Sequence, residues 1–107
     1  MSFKLSNLIS AFKGKTAAGN STVVGIDIGS SSVKIVEVID EDETLRLATY
    51  GELQLGPYNK SPLGASVDLP VGKRTESIVD VLRESNSKAG AAVLTLQLSQ
   101  SFVTSVT

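Results

Sequence analysis

The feature that most constrains the fold is a four-residue turn set between two runs of β-branched residues. Val23 to Ile28 and Val33 to Ile39 both have the composition of strands, with Lys34 and Glu37 interrupting the second run. Only Gly29-Ser30-Ser31-Ser32 separates the two runs, and a connection this short joins antiparallel neighbours. The sequence therefore predicts a β-hairpin at this point.

A third strand is predicted from Leu45 to Leu55, after an acidic turn from Asp40 to Thr44. It would extend the hairpin into a three-stranded antiparallel meander. The four adjacent carboxylates of the turn, Asp40 to Glu43, are expected to be a solvated hairpin tip, because they lack the converging ligands of a cation site. Gly56 to Gly72 holds all three prolines of the chain and is predicted to be a loop at a subdomain boundary.

The remaining sequence predicts one helix and two further strands. Thr75 is expected to N-cap the helix, and Lys88 and Gly90 have the composition of a helix end. Strands are then predicted over Ala91 to Leu98 and Phe102 to Thr107. The fold class is therefore α/β, with α+β character within this stretch.

The N-terminal segment predicts a short amphipathic helix over residues 3–15, followed by a polar linker up to Thr22. Its apolar side chains recur at helical spacing, and they are Leu5, Leu8, Ile9 and Phe12. Lysines flank this face, and no acid precedes Asp27. Three alternatives stay open for the face: packing on the protein body, contact with a membrane surface, or docking on a partner helix.

Composition excludes several classes of function. With no Cys and no His, the chain cannot form disulfides, thiolate or imidazole metal sites, or Ser-His and Cys-His catalytic pairs. A formal net charge of −1 gives no case for nucleic-acid binding. No apolar run approaches the ~20 residues of a membrane span, and no signal peptide is recognisable.

The first turn carries the residues best suited to chemistry. Asp27 ends the first strand as a hard oxygen ligand suited to Mg²⁺, directly or through water. Gly29 lets a phosphate approach the backbone, and successive turn amides form an anion site to which Ser30, Ser31 and Ser32 add hydroxyls. Lys34 could add a positive charge on the returning strand. The alternative is an ordinary hairpin in which Asp27 satisfies turn amides.

The string Gly25-Ile26-Asp27-Ile28-Gly29-Ser30-Ser31-Ser32-Val33-Lys34 resembles the phosphate-1 motif of the actin and sugar-kinase superfamily. Within it, the string most resembles the PilM-type proteins of type IV pilus assembly, and next the FtsA-type cell-division proteins. The resemblance implies a partial actin-like ATPase fold of the ribonuclease H type. It divides the chain into residues 1–22, a helix and linker; 23–55, subdomain 1A; and 56–107, part of an SHS2-like inserted subdomain 1C.

The same resemblance implies a nucleotide site. Asp27 would hold Mg²⁺ through its water shell, the turn would contact the phosphates of ATP, and Lys34 would reach them. The implied function is a nucleotide-dependent assembly protein in the cytoplasm, at the inner face of the inner membrane, with protein partners in an assembly complex. Residues 3–15 could add peripheral membrane contact, and no nucleic acid is expected.

The second phosphate loop and the adenosine pocket of that family are missing from these 107 residues. We therefore expect the sequence to be the N-terminal portion of a longer protein, with a weak ATPase activity confined to the full fold. Two alternatives differ in class. One is a stand-alone protein-interaction module that binds no nucleotide, and the other is a sugar or acetate kinase, for which a substrate cleft is missing.

Overall fold

The computed structural model describes residues 21–95 and 104–106, and within them it contains a four-stranded sheet with a helix on one face. The strands are β1 (Ser21–Ile28), β2 (Ser32–Glu41), β3 (Thr44–Gln54) and β4 (Ala91–Leu94). A short 3₁₀ helix, Gly56–Asn59, follows β3, and helix α1 spans Val71–Glu84. The mixed α/β class predicted from the sequence is confirmed.

The strand order across the sheet is β3-β2-β1-β4. β1 pairs with β2 and β2 with β3 in antiparallel fashion, so the predicted meander is confirmed. β4 returns after α1 and pairs with β1 in parallel, with Val24 opposite Ala92. The described part of residues 56–107 thus adds a strand to the same sheet as the meander. The division into subdomains at residue 55 stays a prediction.

The core lies between the sheet and α1. Alternate side chains of β1 and β2 face the helix, because successive side chains of a strand point to opposite faces. The buried cluster consists of Val24, Ile26, Val33, Ile35, Leu55, Leu69 and Val81. Val33 and Ile35 are almost fully buried, with 0% and 1% exposure, so the centre of this core lies under β2.

The opposite face of the sheet keeps several apolar side chains exposed. Val36 is 48% exposed, Leu47 54% and Tyr50 72%. Val36 and Tyr50 are partners across β2 and β3, and Leu47 lies opposite Val38. Asp27 and Lys34 also lie on this open face, since Asp27 is two residues from the exposed Gly25, the register partner of Val36.

The predicted start of the helix was wrong. Helix α1 begins at Val71, and its N-cap residue is Pro70, five residues before the predicted cap Thr75. The ring of Pro70 presets a φ of −56° and needs no N–H donor at a helix start. Thr75 lies inside the helix, where its hydroxyl donates to the carbonyl of Val71 at 2.9 Å.

The end of the helix also differs from the prediction. Ser85 is the C-cap and Asn86 takes a left-handed φ of 56°, so the helix ends before Lys88 and Gly90, where the end was predicted. The amide of Ser87 donates to the carbonyl of Leu82 at 3.0 Å and closes the helix end. Residues 104–106 are not in a strand, so the strand predicted from Phe102 is absent there; β-branched composition alone does not supply a pairing partner.

Candidate functional site

The candidate site lies at the end of the sheet where β1 turns into β2. Asp27 and Lys34 are register partners across these strands, and both are exposed. Because partners in an antiparallel pair project to the same face, the carboxylate and the ammonium group share one side of the sheet. Two of the charged groups predicted from the sequence are therefore neighbours.

The turn between the strands is tight. The amide of Gly29 donates to the carbonyl of Ser32 at 2.8 Å. A Cβ at Gly29 would lie 3.0 Å from that same carbonyl oxygen, closer than side chains ordinarily come to backbone. Glycine thus allows the close approach of Gly29 to Ser32 within the turn, while the predicted approach of a phosphate to Gly29 stays a prediction. Its own amide, however, is engaged inside the turn.

Residues that follow β3 hold the turn through two backbone hydrogen bonds. The amide of Leu55 donates to the carbonyl of Ser31 at 2.8 Å, and the amide of Val67 donates to the carbonyl of Ser30 at 2.9 Å. The segment 55–67, which we call the brace, therefore fixes two consecutive peptide groups of the turn. The Pro/Gly-rich stretch predicted to be a boundary loop therefore has a direct structural role at the site.

The brace also sets the direction of the turn amides. In a trans peptide the C=O and N–H groups point in opposite directions, and the described part of the chain contains no cis peptide bond. With the carbonyls of Ser30 and Ser31 held by the brace, the amides of Ser31 and Ser32 point away from it. Amides held in this way are a suitable arrangement for an anion.

The three serines of the turn differ in accessibility. Ser30 is exposed, Ser31 is half-buried, and Ser32 is buried with 8% exposure. A ligand approaching from solvent would meet the hydroxyl of Ser30 most readily. The predicted contribution of all three hydroxyls stays a prediction, with Ser32 the least accessible.

Thr95, immediately after β4, contacts the candidate metal ligand. Its hydroxyl donates to Oδ1 of Asp27 at 2.7 Å, and its amide donates to the carbonyl of Ile26 at 3.0 Å. Thr95 was not predicted as a site residue, because the resemblance assigns the strand from Ala91 to another subdomain. The sequence did contain a signal for this contact, namely a helix between two strands. Such a connection favours a parallel pair of strands, whose carboxyl ends lie at the same edge of the sheet.

The donor set around Asp27 suits Mg²⁺ bound largely through water. Within residues 21–95 and 104–106, no group of three or more Asp or Glu side chains converges as a cation cage. Mg²⁺ keeps several waters and is usually bound through one or two carboxylates together with substrate phosphates. A single exposed carboxylate beside a turn predicted to bind phosphate fits that requirement, and it would not serve an ion that needs a full protein cage.

The apolar face predicted over Leu5, Leu8, Ile9 and Phe12 lies outside the described residues. In the part of the chain that is described, no helix combines the length and apolar character needed to cross a bilayer.

No protein-family model and no curated protein matches the chain. Among solved structures, the chain is similar to the Ppx/GppA family member of Aquifex aeolicus, with 21% identity, 71% of this chain and 26% of that chain covered, and a TM-score of 0.45. A type II variant of the Aquifex aeolicus Ppx/GppA phosphatase has 25% identity over 69% of this chain and 25% of that chain, with a TM-score of 0.43.

A diol dehydratase-reactivating factor in its nucleotide-free form has 17% identity over 69% of this chain and 12% of that chain, with a TM-score of 0.41. The present chain thus spans about a quarter or less of the length of these proteins.

Proposed function

We propose that this chain carries the first phosphate-binding turn of an ATP site in an actin-like ATPase fold. The observation that carries the proposal is the braced turn beside Asp27. Two of its carbonyls are bonded from outside by Leu55 and Val67, and a carboxylate suited to hydrated Mg²⁺ precedes it by two residues. One short segment thus offers a carboxylate for the metal ion and a turn for the phosphates of a Mg-polyphosphate complex.

Within this proposal each residue has a stated role. Asp27 accepts hydrogen bonds from the water shell of Mg²⁺, while the amides of Ser31 and Ser32 and the hydroxyl of Ser30 donate to phosphate oxygens. Lys34 lies beside Asp27 and offsets part of the repulsion between its carboxylate and the polyphosphate. Bound Mg²⁺ would supply charge neutralisation of the phosphates.

The proposed biological role is a more specific claim than the proposed nucleotide site. From the resemblance of residues 25–34, we infer a nucleotide-dependent assembly protein of the PilM type, with an FtsA-type protein as the alternative. It would work in the cytoplasm against the inner membrane, through protein partners of an assembly complex. Nucleotide would act as a switch between the arrangements of its subdomains.

The test is Mg-ATP binding by the native polypeptide that contains these residues, after its intact mass has been measured. Isothermal titration calorimetry should give saturable binding, and Asp27→Asn should weaken it at least tenfold, or about 1.4 kcal/mol. The matched control is Asp42→Asn, which removes the same charge from an exposed position at the other end of β2. Equal binding by wild type and Asp27→Asn would contradict the proposal.

A further inference from the structure

We propose that Thr95 is the positioning residue of the Mg²⁺ side of this site, holding the Asp27 carboxylate for a hydrated cation. The inference rests on the proposed function and adds to it a residue from a second strand. Thr95 is 68 residues away from Asp27 in the sequence, yet its hydroxyl donates to Oδ1 at 2.7 Å. The site is therefore built from two chain segments.

The backbone of Thr95 fixes where its hydroxyl can reach. Its amide donates to the carbonyl of Ile26, the residue before Asp27, which continues the parallel pairing of β4 with β1 beyond Leu94. The β-branched side chain restricts χ1, so the hydroxyl starts from a defined place. Thr95 thus donates hydrogen bonds to two consecutive residues of β1.

A hydroxyl is suited to this position because it orients a carboxylate without neutralising it. A lysine or arginine would form an ion pair and compete with a cation for the negative charge. The threonine hydroxyl uses its single donor on Oδ1 and keeps lone pairs that can accept a hydrogen bond from a water of Mg²⁺. Among the described residues, Oδ2 of Asp27 accepts no hydrogen bond, so it is available to that water shell.

The competing explanation is that the contact only fastens β4 to β1. β4 has four residues, and one hydrogen bond could help to hold so short a strand. The two explanations differ in one measurable quantity. A fastening contact contributes to the stability of the fold alone, whereas a positioning contact also sets how ATP affinity depends on Mg²⁺.

The experiment compares Thr95→Val, Thr95→Ser and wild type in the native polypeptide. ATP binding is titrated at increasing Mg²⁺ and again in excess chelator, with thermal unfolding measured in parallel. We expect Thr95→Val to weaken Mg-ATP binding about tenfold and to leave binding in chelator within twofold of wild type. Thr95→Ser, which keeps the hydroxyl, should return Mg-ATP affinity to within twofold of wild type.

Thr49→Val is the matched control. The hydroxyl of Thr49 donates to the carbonyl of Ser85 at 2.8 Å, so this variant removes a similar long-range contact of the same sheet away from the turn. It should lower the unfolding temperature without changing the Mg²⁺ dependence.

The inference is overturned if Thr95→Val lowers stability as Thr49→Val does and binds Mg-ATP like wild type, while Asp27→Asn still weakens binding. It is also overturned if Thr95→Ser fails to restore affinity. If wild type binds no Mg-ATP, the proposed function itself is wrong and the role of Thr95 falls with it.

Discussion

The two turns at the ends of β2 reverse the same strand, yet they are held in different ways. The turn over residues 29–32 has an internal hydrogen bond from Gly29 to Ser32 and two more from the brace. The turn at Asp42 and Glu43 has two residues with positive φ, at 50° and 65°, and both are exposed. An ion pair of 2.8 Å between Arg46 and Glu41 spans its base. The first turn is therefore held by hydrogen bonds from residues distant in sequence, whereas the second is a local chain reversal.

This difference separates a candidate binding turn from a connection. A local reversal needs only a backbone that can adopt left-handed φ at two positions. A turn that presents its amides in a fixed direction needs distant chain to hold its carbonyls, and here that chain comes from 55–67. The contrast predicts that substitutions in the brace affect the first turn and that substitutions at the acidic tip do not.

The largest effect is expected from Gly56→Ala. A Cβ at Gly56 would lie 2.1 Å from the carbonyl oxygen of Pro62 and 2.9 Å from that of Ser61, so the brace would have to move. We expect a loss of about 3 kcal/mol in the free energy of unfolding, the upper part of the range for forced overpacking. Urea unfolding of the native polypeptide measures it, and Mg-ATP binding should weaken in parallel.

Gly72→Ala is the matched control for that substitution. Gly72 lies near the start of α1, and a Cβ there would meet no atom within 4 Å among the described residues. Alanine in a helix should leave stability unchanged or raise it by up to about 1 kcal/mol. A loss at Gly72 equal to that at Gly56 would contradict the steric explanation.

A smaller effect is expected from Tyr58→Phe. Tyr58 follows Gly56 in the 3₁₀ helix, and its hydroxyl donates to Oδ2 of Asp80 on α1 at 2.6 Å. Burial, followed by this hydrogen bond, raises the pKa of Tyr58 from 10.0 to about 12. Removing the hydroxyl should cost about 1 kcal/mol at pH 7, the usual net value of such a bond.

The raised pKa also predicts how stability depends on pH. The folded protein holds the phenol proton more tightly than the unfolded chain, so the contribution is complete below pH 10 and is lost between pH 10.0 and about 12. The free energy of unfolding, measured in urea across this pH range, should decline less steeply in Tyr58→Phe than in wild type. Tyr50→Phe is the control at pH 7, because Tyr50 is 72% exposed and its variant should keep wild-type stability.

The smallest effect is expected at the acidic tip. Asp42→Asn combined with Glu43→Gly installs the pair that favours positive φ at both central positions of a two-residue hairpin turn. The free energy of unfolding should rise by roughly 0.5 kcal/mol, because the relief of left-handed backbone at position 43 exceeds the entropy cost of glycine. Mg-ATP affinity should stay within twofold of wild type, and a larger change would mean that the two ends of β2 are coupled.

The parts of the fold that follow from local sequence were predicted well. The meander rests on β-branched runs and short polar turns, and its third strand, Thr44–Gln54, lies within one residue of the prediction. The helix start was misjudged because Thr75 is a favourable cap residue, while Pro70 preorganises an earlier start.

The candidate site was only half predictable. Asp27, Gly29 and Lys34 lie together because they share one hairpin, and hairpin register follows from the turn. Thr95 and the amide of Val67 reach the site through pairings that no local pattern encodes. The residues that support the turn are distant in sequence, so composition indicated a loop without indicating what it touches.

Thr95 follows Asp27 by 68 positions in the sequence, so the two residues are synthesised at different times. At synthesis rates of about 5–20 residues per second, Thr95 is added roughly 3 to 14 seconds after Asp27. The hairpin contacts are local and can form in microseconds once their residues are free. In a nascent chain, the hairpin that carries Asp27 can therefore form several seconds before the hydroxyl of Thr95 is available to bond to its carboxylate.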